Sequence, residues 1–129
     1  MSSESLHVPR DVLSSEARQL HHAIVSLKEE LDAVDWYRQR ADDTTDKPLR
    51  EILLHNMREE MEHASMIIEW LRRNNKDFAG FLDTYLYTEA PIIEVERAAE
   101  GEETAAAAPA TGTGGDDGRG FTVGSLREG

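Results

Sequence analysis

The stretch "EEMEHASMIIEW", residues 59–70, decides how this chain has to be read. It belongs to a longer apolar stripe, Leu49, Leu53, Met57, Glu60, Ala64, Ile67 and Leu71, whose spacings of three and four residues mark one face of a helix. Glu60 stands in that stripe where the pattern asks for a hydrophobe. A carboxylate on a buried face costs several kcal/mol or takes up a proton unless a cation is supplied. His63 follows three residues later, so both side chains reach the same point beside the helix.

Working outward, the helix is predicted over about Lys47 to Asn75. Asp46 stands as its cap, Pro48 lies in its first turn, and Arg72 and Arg73 complement the dipole at its end. Ahead of it, Asp42 to Pro48 reads as a tight polar turn. Before the turn, Leu13, Leu20, Ile24, Leu27, Leu31 and Val34 repeat at helical spacing, which predicts a first helix from about Asp11 to Asp43, about 45 Å long. The same anomaly appears on it. Ala23, Leu27, Glu30, Val34 and Tyr37 share one side, with Glu30 in their midst.

A Glu on one helix and Glu-x-x-His on its neighbour is half of the ligand set found in di-iron and di-manganese carboxylate bundles. The chain has only two long helices, and an αα-hairpin alone leaves an apolar face in water. A two-fold dimer supplies the missing half and creates a four-helix bundle with two copies each of Glu30, Glu60 and His63. Glu29, Asp32 and Trp36 share a different side of the first helix and read either as an outer acidic cation site or as a solvated face. His7, His21, His22 and His55 show no partner pattern.

Composition agrees with a metal. Against 14 Lys and Arg stand 26 Asp and Glu, for a net charge of -12, which attracts cations and disfavours nucleic acid and anionic membrane surfaces as partners. Cysteine is absent, so carboxylates and histidines must do any ligation, a donor set suited to iron, manganese, calcium or zinc. No secretory leader or membrane-spanning run is evident, and a cytoplasmic protein is expected.

Beyond the hairpin, "KDFAGFLDTYLYTEAP" predicts a short third helix carrying Phe78, Phe81, Leu82, Tyr85 and Leu86 and ended by Pro91. The expected organisation is a flexible N-terminus over 1–10, an all-α hairpin domain with its short third helix over 11–97, and an Ala/Thr/Gly-rich flexible linker over 98–119. A final segment over 120–129 carries an isolated apolar cluster of Phe121, Val123 and Leu126.

The segments "AIVSLKEELDAVDWYRQR", "EILLHNMREEMEHASMIIEWLRRN" and "TYLYTEAPI", together with the terminal "TVGSLR", resemble the encapsulated ferritins, two-helix ferritin-like cargo proteins of encapsulin nanocompartments. The resemblance implies a ferritin-like bundle formed by dimerisation, assembled into an open decameric ring with a disordered C-terminal tail. It implies a ferroxidase whose di-iron ligands are Glu30, Glu60 and His63 of two subunits. Glu29 and Asp32 then fall at an outer acidic site for iron, calcium or another divalent cation, with Trp36 close by. Asp32 stands where the family is expected to carry a glutamate, so its reach is shorter. Phe121, Thr122, Val123, Gly124, Ser125, Leu126 and Arg127 would form the peptide that docks on the encapsulin shell and places the protein inside the compartment. The rival readings are a di-metal protein that binds without turnover and a structural helical cargo protein.

Overall fold

The computed structural model describes residues 5–107. Their regular elements are all helical, with no strand among these residues. A 3-10 turn at Arg10–Val12 precedes helix α1, Ser15–Asp43, then α2, Lys47–Asn74, α3, Lys76–Tyr85, and α4, Ile92–Ala107. The described chain divides between Ala79 and Gly80 into two units.

In the first unit, α1 and α2 pack on one another as the predicted hairpin. The ends of both helices are set by side chains. Ser14 Oγ accepts from the Ala17 N–H at 3.0 Å, a cap worth about 1 kcal/mol. That cap, and the extended Leu13 before it (ψ 142°), start α1 at Ser15. The apolar spacing that carried the predicted helix back to Asp11 continues through the 3-10 turn, whose backbone is not α-helical.

At the hairpin turn, Asp46 Oδ2 accepts from the Leu49 N–H at 2.9 Å. Arg50 reaches back to the end of α1, its Nε donating to the Ala41 carbonyl and its Nη2 to the Thr44 carbonyl, both at 2.9 Å. One arginine from the first turn of α2 thereby satisfies orphan carbonyls of α1. Asn75 joins α2 to α3 in the same economical way: its N–H donates to the Leu71 carbonyl, and its Oδ1 accepts from the Phe78 N–H, each at 2.9 Å.

Very little of this hairpin is fully buried. Ala41, Ala64 and Leu71 are the buried hydrophobic residues of the described chain, Leu71 at 1% exposure. Ile24 and Leu31 on α1, and Leu49, Ile52, Met61, Met66 and Trp70 on α2, all remain exposed. Among the described residues these two amphipathic helices pack chiefly on one another, which leaves a second apolar face on each uncovered.

In the second unit, α3 stops at Tyr85, six residues short of Pro91. Tyr87 adopts φ 62° and is fully exposed, a left-handed backbone that breaks the helical run. Leu86, expected on the helical face, thus lies past its end, although its N–H still donates to the Leu82 carbonyl. Pro91 stands immediately before the next helix instead of ending this one, its carbonyl accepting from the Glu94 and Val95 N–H groups.

Helix α4 corrects the expected linker. It extends to Ala107, ten residues into the stretch read as flexible from position 98. The reading relied on the missing apolar period, yet Ala and Glu dominate "IIEVERAAEGEETAAA" and are strong helix formers without any period. The remaining linker, 108–119, and the terminal segment with Phe121 to Arg127 lie outside the described residues.

Candidate metal centre

Glu30 lies near the middle of α1, and Glu60 and His63 near the middle of α2. Hairpin pairing brings the three together. His63 Nδ1 stands 2.9 Å from Glu60 Oε1 within α2 and 3.4 Å from Glu30 Oε1 across the hairpin. The two carboxylates are about three-quarters covered, whereas the imidazole is 46% exposed. Among the described residues this is the group of three His, Asp or Glu side chains whose ligand atoms all lie within 4.8 Å of one another.

The electrostatics show a site with more negative charge than it can hold comfortably. Burial pushes the Glu30 carboxyl above its ordinary value, and the charge of Glu60 and a hydrogen bond with it push the same way, with His63 opposing. His63 is raised above the usual imidazole range, first by its hydrogen bond to Glu60 and further by the charges of Glu30, Glu60 and Glu59, against the lowering effect of desolvation. A proton on His63 therefore neutralises part of the charge that a metal cation would neutralise better.

The donor set fits a first-row divalent metal. Bonds of roughly 2.0–2.2 Å place donor atoms up to about 4 Å apart around one ion, close to the observed spread, so small rotations of the Glu30, Glu60 and His63 side chains close the set. Two carboxylate oxygens and one imidazole nitrogen are hard to intermediate donors, suited to iron, manganese or zinc. Three protein donors leave a metal with open positions.

The outer residues behave differently. Glu29, Asp32 and Trp36 are all exposed on α1, and among the described residues Glu29 and Asp32 join no cluster of three ligands. Trp36 is 52% exposed and packs on no ring among the described residues. Sequence reading passed over Glu59, which lies close enough to His63 to act on its charge. Its spacing of four residues from His63 was the available signal. No helix among the described residues is long and apolar enough to cross a membrane.

The sequence model of a family described as EncFtn-like matches residues 5–89, well over half of the chain. An encapsulated ferritin-like protein of Rhodospirillum rubrum is 50% identical over 122 residues, covering 95% of this chain and 81% of that protein. A ferritin-like protein of Thermotoga maritima is 46% identical over 110 residues, covering 85% and 92%. The encapsulin nanocompartment cargo protein EncC of Myxococcus xanthus is 32% identical over 125 residues, covering 93% and 92%. Among solved structures, protein ne0167 of Nitrosomonas europaea superposes with a TM-score of 0.66 at 49% identity, covering 68% of this chain and 97% of that one.

Proposed function

The chain belongs to the EncFtn-like family, and from that premise we propose that it is a ferroxidase, oxidising Fe(II) to Fe(III) with dioxygen at a site that two copies build together. The observation that carries the proposal is the convergence of Glu30, Glu60 and His63 from two helices onto one point within 4.8 Å.

A second hairpin completes the site. Leu49, Asn56, His63 and Trp70 stand seven apart on α2, and Leu49 and Trp70 are 43% and 39% exposed. A partner seated on this file covers both apolar side chains and brings its own trio against the first, for four carboxylates and two imidazoles. Such a set holds two divalent cations and leaves each copy with the four-helix surroundings that a hairpin lacks.

Fe(II) is the substrate. Each ion gives one electron to dioxygen, and the anionic Glu30 and Glu60 favour the more highly charged Fe(III) product. Before iron binds, Glu30 must be ionised and the ligating nitrogen of His63 must be free of its proton, so uptake releases protons and weakens in acid. The net charge of -12 draws cations toward the site. Glu29 and Asp32, with Trp36 close by, form an outer acidic site that feeds the inner one, and also accepts calcium or another divalent cation.

The higher assembly is a decameric ring of these dimers. The terminal segment, 120–129, with Phe121, Thr122, Val123, Gly124, Ser125, Leu126 and Arg127, docks on an encapsulin shell and places the protein inside a cytoplasmic nanocompartment, where the oxidised iron is stored. The relatives named as encapsulated ferritin-like and encapsulin cargo proteins support this role.

The deciding experiment mixes anaerobic Fe(II) with aerated protein and follows Fe(III) appearance, comparing wild type with Glu60→Ala and His63→Ala. Oxidation well above the buffer rate, lost in both variants, is expected. A wild type that binds Fe(II) stoichiometrically yet oxidises it no faster than buffer is a metal-binding protein, and the ferroxidase reading fails.

A further inference from the structure

Sulfur is unevenly distributed along this chain. There is no cysteine and there are four methionines, of which Met57, Met61 and Met66 fall within one run of α2 that also carries Glu60 and His63. Met57 is half-buried. Met61 and Met66 are 45% and 64% exposed, an unusual setting for a flexible thioether whose common use is to fill gaps in a core.

Their placement around the helix is specific. At 3.6 residues per turn, or about 100° per residue, Met61 stands ~100° round from Glu60, and Met66 stands ~60° from His63 in the opposite sense. The two exposed thioethers therefore bracket the ligand-bearing face from both sides without occupying it.

We propose that Met61 and Met66 are sacrificial oxygen acceptors for hydrogen peroxide formed at the Glu30–Glu60–His63 site. The inference rests on the ferroxidase reading. Two Fe(II) ions each give one electron to dioxygen, which takes up two protons and leaves as hydrogen peroxide. A lone pair of the thioether sulfur attacks one peroxide oxygen, the O–O bond breaks, an S–O bond forms and water departs. Sulfur is oxidised by two electrons and peroxide is reduced by two.

This placement protects the site. The oxidisable groups at stake on the same helix are the His63 imidazole and the Trp70 indole, and the chain has no thiol to intercept peroxide. An exposed methionine accepts the polar sulfoxide with little disturbance, where a buried one would disrupt its packing, and the sulfoxide is reducible by dedicated enzymes.

The test uses the full chain and two treatments: Fe(II) in air, and an equivalent amount of hydrogen peroxide added without iron. Peptide mass spectrometry reads one added oxygen at each methionine. Because peroxide made at the site is released beside them, sulfoxide at Met61 and Met66 is expected to form at least about fivefold faster during Fe(II) oxidation in air than with bulk peroxide alone, with Met57 behind. A Met61→Leu/Met66→Leu double variant is expected to begin at the wild-type oxidation rate while accumulating oxygen adducts on the peptides bearing His63 and Trp70. The proposal is overturned if iron does not accelerate sulfoxide formation at these two positions, or if the double variant keeps its His63 and Trp70 peptides unmodified over the same turnovers. Absence of Fe(II) oxidation in air would remove the ferroxidase reading and this proposal with it, whereas Fe(II) oxidation without sulfoxide at Met61 and Met66 would overturn the proposal alone.

Discussion

Two files of residues run seven apart along α2 and meet opposite fates. Met57, Ala64 and Leu71 face α1, with Ala64 and Leu71 buried. In the file of Leu49, Asn56, His63 and Trp70, His63 reaches Glu30 on α1 at 3.4 Å, while the two large apolar members remain exposed. The apolar members alone do not separate the files, because both carry large hydrophobic side chains that a soluble helix would normally bury. What separates them is the number of neighbours one chain can provide. The first file is completed within the chain, and the second, with His63 at its middle, is where the proposed second copy would sit.

The largest effect that tests this contrast is on the first file. Leu71→Ala removes a fully buried side chain and is expected to cost about 2–5 kcal/mol, read as a lower urea midpoint at fixed protein concentration. A loss below about 1 kcal/mol would mean that Leu71 packs no better than the exposed file.

The second file should respond through association. Leu49→Ser with Trp70→Ser is expected to lower the mass in solution by sedimentation and to make the helical signal fall on dilution, since hairpins without a partner have little core. An unchanged mass would place the interface between copies on some other face.

Glu60 tests the reason for the interruption in the stripe. Glu60→Leu is expected to raise the stability of the metal-free protein by about 1 kcal/mol and to abolish retention of bound Fe(II) through gel filtration. Stabilisation with metal binding intact would leave Glu60 as a tolerated surface acid and not a ligand.

The smallest effect lies outside both files. Arg72 grips the two oxygens of Glu69 at 2.8 Å each, and Arg73 adds a third bond at 2.6 Å. These bonds, with the two positive charges, hold the Glu69 carboxyl down to about 2. The folded value lies below the ordinary 4.5, so the contribution is complete above the ordinary carboxylate range and fades as pH falls toward about 2. A Glu69→Gln variant should differ slightly from wild type in thermal midpoint at pH 7 and converge with it in acid. Because the pair is well exposed, the gap is expected to shrink further in high salt.

Much of this was legible before any coordinates. Glu30 and Glu60 could be picked out because each interrupts an apolar stripe, and an ionisable group on a buried face calls for a partner. The hairpin turn was legible through Asp46 and Pro48, whose side-chain and ring chemistry acts within a few residues. Less visible were features that depend on the fate of particular backbone groups. The start of α1 depends on whether the Ser14 hydroxyl or the upstream apolar spacing prevails, and Tyr87 ends α3 through a conformation that its residue type does not favour. Helix α4 escaped notice because helix propensity without an apolar period leaves no pattern to follow.

The sequence by itself determined the all-helical class, the turn, and the identity of the trio Glu30, Glu60 and His63, since these follow from local periodicity and from the cost of burying charge. Only the tertiary structure decided that Glu30 on α1 comes within 3.4 Å of His63 on α2, that Glu29 and Asp32 join no such cluster in one chain, and which apolar residues are left uncovered. Those outcomes depend on the relative rotation and register of two helices. Periodicity selects a face of each helix, but distances between side chains on different helices exist only once the faces have packed.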